Sequence, residues 1–134
     1  MSVPRETSEE ERCDNFVRSV HGEIFPFSMR GESPFPNVSD RRYYVRGVAF
    51  WFEVKVSAIS ATDAKRLGCE PRKADKLTEG QLAFLVREYA YGQVVCAGDR
   101  TILEALVLSR PSDWRRIGYE WLAIVAARGF RKEG

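Results

Sequence analysis

Hydrophobic spacing changes along this chain, and each change marks an element. Near the start, Cys13, Phe16, Val17 and Val20 recur at helical intervals behind a capping signal at Thr7 or Ser8 and three glutamates, which predicts a helix ending at about Gly22. The stretch "IFPFSMRGESPFPNVSD" carries three prolines, so a short strand near Ile24 should give way to an ordered loop. Alternation with period two follows. "RRYYV" and "VAFWFEVKV" are two β-rich runs that Arg46-Gly47 joins into a hairpin.

From Ser57 to Leu77 the pattern fades while Lys65, Arg66, Arg72, Lys73 and Lys76 accumulate, which predicts a basic excursion with one helical turn. Helical spacing returns in "LTEGQLAFLVREYAYG", with Thr78 as N-cap, Leu82, Leu85, Val86 and Tyr89 on one side, and Gly92 as the stop. "QVVCAG" is short and apolar throughout, as in a strand buried on both faces. Asp99 caps a helix to about Ser109. Pro111 with Ser112 or Asp113 opens a last helix, striped by Trp114, Ile117, Trp121, Leu122 and Val125. This order predicts an α/β fold with a mixed central sheet flanked by helices. Residues 1–8 are expected to be disordered and 9–134 to form one domain.

Within "FWFEVKV", alternation sends Phe50, Phe52, Val54 and Val56 to one face and Trp51, Glu53 and Lys55 to the other. The plain expectation for such a pattern is a half-buried strand with a charged, solvated outer face. Hairpin register bears on this. If Arg46-Gly47 is a two-residue turn, Val45 faces Val48, Tyr44 faces Ala49, Arg42 faces Trp51 and Asp40 faces Glu53. Two carboxylates would then stand with Cβ atoms about 5 Å apart and repel. A bound Mg²⁺ or Mn²⁺ turns that repulsion into a site of hard oxygen ligands, beside the cation of Lys55.

Composition narrows the partners only slightly. Twenty-one Lys and Arg against nineteen Asp and Glu give a formal charge of +2, compatible with a nucleic-acid partner without requiring one. Cys13, Cys69 and Cys96 are far apart and lack histidines at ligand spacing, which argues against a zinc site and a disulfide scaffold. His21 is the single histidine; at the end of a helical pattern it suits a structural role better than a catalytic one. "MSVPRETSEEER" has no apolar core of the kind a secretory signal needs, and no run approaches membrane-spanning length. A soluble, cytoplasmic protein is expected, with no membrane partner.

An Asp leading through a hairpin to Glu-x-Lys, as in "SDRRYYVRGVAFWFEVKV", followed by "LTEGQLAFL", resembles the PD-(D/E)xK nuclease superfamily. Within it the chain is most similar to the virus-type replication-repair nuclease family, VRR-NUC, over about Asn37 to Gly98. The resemblance implies a restriction-endonuclease-like fold and a metal-dependent endonuclease that hydrolyses phosphodiester bonds in DNA, at branched or structured sites. It implies Asp40 and Glu53, with the Val54 carbonyl, as ligands of Mg²⁺ or Mn²⁺. Lys55 would orient the attacking water, and Gln81 matches the family's helical glutamine. One of Glu9, Glu10 and Glu11 would join the metal shell. A homodimer is implied too, with Trp114, Trp121 and the last helix either at its interface or covering the sheet. "NVS" precedes Asp40 where family members commonly show a glycine and a proline.

Each assignment has a plainer counterpart. Thr78-Glu79-Gly80-Gln81 is also a capping box, in which the Gln81 side chain reaches back to the Thr78 amide. Arg41, Arg42, Lys73 and Lys76 are candidate phosphate contacts, or a solvated basic surface. Tyr43, Tyr44 and Trp51 could stack on bases or simply pack, and Arg42 opposite Trp51 suits a cation-π pair. For the whole chain, the counterpart is a non-catalytic nucleic-acid- or protein-binding module that keeps the nuclease fold, or a structural subunit in which Glu53 and Lys55 face a partner.

Overall fold

The computed structural model describes residues 6–25, 39 and 41–132. Its organising feature is a tight turn at Arg46 and Gly47, both at positive φ (53° and 83°), the backbone that a two-residue primed hairpin requires. Arg46 is an unusual residue in that position. Its guanidinium reaches the Val107 and Ser109 carbonyls at 3.0 and 3.2 Å, where a helix ends with unpaired carbonyls, and these bonds offset the backbone strain. The turn joins β2 (Arg41–Val45) to β3 (Val48–Val54) in the expected register, Val45 opposite Val48, Tyr44 opposite Ala49 and Arg42 opposite Trp51.

Around this hairpin, α1 (Glu6–Ser19) leads into β1 (Glu23–Ile24), which pairs antiparallel with β2. After β3 come α2 (Ala61–Leu67) and α3 (Glu79–Ala90), then β4 (Val94–Gly98), which pairs parallel with β3. The chain continues through α4 (Arg100–Val107), a 3₁₀ turn (Pro111–Asp113) and α5 (Trp114–Ala126). The result is a mixed α/β fold with strand order β1-β2-β3-β4. The expected loop over residues 26–38 lies outside the described residues. No helix among those described is long and apolar enough to cross a membrane.

Two apolar layers sandwich the sheet. Phe50, Phe52 and Val54 of β3 join Cys13, Phe16 and Val17 of α1 and Leu103, Leu106 and Val107 of α4, with Trp114 edge-on to Phe50. Trp51 faces the other way and packs with Phe84 and Leu85 of α3, Val95 and Ala97 of β4, and Leu122 and Val125 of α5. Helix α5 therefore contributes to both layers. It approaches β4 closely at Gly118, where an added Cβ would sit 2.2 Å from the Val95 carbonyl oxygen, so only glycine admits this contact.

Several expectations need adjustment. Helix α1 stops at Ser19 and His21 takes φ 60°, because Gly22 must come close enough to Val17 and Val45 to leave no room for a side chain. The basic excursion holds the two-turn α2 rather than one turn, capped by Ser60 and stopped by Gly68 at φ 69°. On α3, Val86 is exposed and Phe84 takes the inward place beneath Trp51. Trp114 is fully buried, so it covers the sheet and is not surface for a dimer interface.

Candidate functional site

Glu53 and Lys55 are both 0% exposed. A solvated outer face is thereby excluded for "FWFEVKV". The reason lies beyond the hairpin: β4 docks parallel on the far edge of β3, with Glu53 beside Ala97, and α3 and α5 cover the face that alternation assigned to water. A strand enclosed in this way buries both its faces whatever its pattern.

Beyond Val54 the chain stays extended and is strapped on every side. The Lys55 amide donates to the Gly98 carbonyl at 2.8 Å, which continues the β3–β4 ladder by one step. The Val56 amide donates to the Asp75 carboxylate at 3.1 Å, and the Asp75 amide returns a bond to the Val56 carbonyl at 3.0 Å. Arg128 donates to the carbonyls of Val56 and Asp75, and Arg72 to that of Ser57. The Lys55 backbone is thus held rigidly, while its buried ammonium has no hydrogen-bond partner among the described residues. Asp75 and Arg128, which fix this segment, were not candidates from sequence. An aspartate amid "RKADK" was the available signal.

Asp40, the next pair in the hairpin register, lies outside the described residues. Among the three N-terminal glutamates, Glu9 is buried and accepts from the Arg100 amide at 2.7 Å and from Arg12 at 3.0 Å, which satisfies the first turn of α4. Glu10 pairs with Arg41, and Glu11 is exposed. Asp99 is the N-cap of α4 and accepts from Ser57 at 2.9 Å. Glu9 and Asp99 are thus occupied at the start of α4, and Glu10 in an ion pair with Arg41. Among the described residues, no three or more His, Cys, Asp or Glu side chains form a group that could hold a metal. Glu53 and the Val54 carbonyl are the right hard-oxygen types for Mg²⁺ or Mn²⁺, and a complete shell would need Asp40 as well.

Gln81 opens α3, the helix over the same face, and makes the full capping box: its side chain accepts from the Thr78 amide at 2.9 Å and Thr78 Oγ1 accepts from the Gln81 amide at 3.1 Å. Arg41 turns inward to Asp14 and Glu10 of α1. Arg42 donates to Gln93 at 3.1 Å and lies 4.5 Å from the Trp51 ring centre, the anticipated cation-π pair. Trp51 in turn donates to Glu88 at 2.9 Å. Lys73 and Lys76 are exposed. Nothing matches the chain among protein-family models, curated proteins or solved structures.

Proposed function

We propose that the chain is a metal-dependent nuclease that hydrolyses phosphodiester bonds in DNA, at branched or otherwise structured sites. One observation carries this reading: Lys55 holds an ammonium at full burial, without a hydrogen-bond partner among the described residues, two positions from the equally buried Glu53. Buried ionisable groups are costly and concentrate where chemistry needs them. In this reading Asp40, Glu53 and the Val54 carbonyl hold Mg²⁺ or Mn²⁺, which when bound lowers the pKa of water and offsets charge on the phosphate. Lys55 orients the water and adds a cation at the phosphoryl group. Gln81 combines its capping role with a place at the rim of the site.

The test is cleavage of branched, single-stranded and duplex DNA by wild type and Lys55→Ala, with Mg²⁺ or Mn²⁺ and with chelator. Metal-dependent cutting is expected, abolished by Lys55→Ala while DNA binding stays within severalfold. Full activity in Lys55→Ala would reject the assignment. The full burial of Glu53 and Lys55 favours a second reading, a non-catalytic nucleic-acid- or protein-binding module on the same fold. Binding without cleavage in every arm would select it.

A further inference from the structure

After α5 the chain does not simply leave the domain. Gly129, at φ 96°, turns it back, and Phe130 forms a parallel bridge with Leu77 while the Arg131 amide donates to the Leu77 carbonyl at 2.8 Å. Arg128 fixes the start of this segment to the Val56 and Asp75 carbonyls, so the segment is tied to the extension of β3 that follows Lys55. A cavity of about 390 Å³ results, lined by Glu79, Phe130, Arg131 and Lys132. Lys76 lies close to the turn that leads into it, its ammonium 3.8 Å from where a Cβ on Gly129 would lie. The side chains of Lys76, Arg131 and Lys132 have no ion-pair partner among the described residues, and Phe130 is 43% exposed beside them.

We propose that this cavity binds a single-stranded segment of nucleic acid, a base stacked on Phe130 and the flanking phosphates held by Lys76, Arg131 and Lys132. An exposed ring supplies a face that any base can cover, while unpaired cations around it track a phosphate backbone; together these are the elements of single-strand recognition. A duplex would offer the cations phosphates but no free base for the ring. The inference shares its partner with the proposed nuclease activity but needs no cleavage.

Fluorescence anisotropy of a labelled single strand and a labelled hairpin duplex, titrated with the full chain in chelator, tests it. Phe130→Ala should raise the Kd for the single strand about tenfold and that for the duplex by much less. Arg131→Ala with Lys132→Ala, on exposed side chains, should lower the slope of log affinity against log salt by about 1.4 for the single strand. Failure of the wild type to bind the single strand, equal losses on both probes with Phe130→Ala, or an unchanged salt slope in the double variant would each overturn it. Binding that responds as stated in a chain that never cleaves would sustain the inference and reject the nuclease reading. Cleavage abolished by Lys55→Ala, with Phe130→Ala binding normally, would do the reverse.

Discussion

On the face of the sheet beneath α1 and α4, charged and polar groups meet partners: Tyr43 donates to Asp14 at 2.8 Å, Arg41 pairs with Asp14, the buried Glu9 accepts from the Arg100 amide, and the Cys13 and Cys96 thiols lie in the apolar layer. On the face beneath α3 and α5, Trp51 satisfies its ring nitrogen on Glu88 and Leu85 and Leu122 fill the layer, yet Glu53 and Lys55 stand at full burial along the same strand face. On the first face the buried carboxylate of Glu9 is matched by a backbone donor and a guanidinium. The second face departs from that pattern at Lys55, whose buried ammonium has no hydrogen-bond partner among the described residues. Buried charges cost several kcal/mol each in desolvation, so their presence there is a departure from what stability alone would select.

The comparison breaks most readily at Trp114, which is fully buried, lies edge-on to Phe50 at 5.6 Å and donates to the Ser109 carbonyl at 3.0 Å. Trp114→Ala should cost about 3–5 kcal/mol in urea unfolding. A loss below about 1 kcal/mol would mean that the first face is not a stability core. Next comes pH. Burial, and then the neighbouring Glu9, push the Cys13 thiol well above its ordinary pKa, and burial does the same for Cys96. Thiols raised in the folded state contribute stability that is complete below the unfolded value of about 8.5. Above it the unfolded chain sheds protons first, and stability falls as pH rises. Two such groups predict a loss of about 2–3 kcal/mol per pH unit between about pH 9 and 10. Cys96→Ala should halve that slope in melts across the range; an unchanged slope would place the alkaline transition elsewhere.

What the sequence made legible was whatever is written locally. The hairpin register followed from the length of the turn, the Thr78–Gln81 box from four adjacent residues, and Asp99 as a cap from its place before an apolar stripe. What escaped depends on distant packing. Glu53 and Lys55 read as solvent-facing because alternation within a strand carries no information about β4, some 40 positions away, or about the helices that close over it. Arg41 and Arg42 read as phosphate contacts because their internal partners, Asp14 and Gln93, lie 27 and 51 residues away. The segment from Phe130 to Lys132 carried no periodicity at all, and only its bridge to Leu77 gives it a place.

The smallest expected effect is also the sharpest test of why the two faces differ. If Glu53 and Lys55 serve chemistry and not stability, replacing both by apolar side chains of similar length should leave the fold intact. The double variant Glu53→Met/Lys55→Met removes two desolvation costs and keeps most of the volume, so it should unfold at the same urea concentration as wild type or a higher one. The expected gain is about 1 kcal/mol, the low end for such exchanges. Lys55→Met alone should account for part of that change, because it removes a buried ammonium that has no hydrogen-bond partner among the described residues. Urea unfolding of all three proteins in chelator separates the cases. A double variant that loses several kcal/mol would make the pair a structural staple of the second face. Both faces would then be built for stability, and the burial of Lys55 would no longer argue for catalysis.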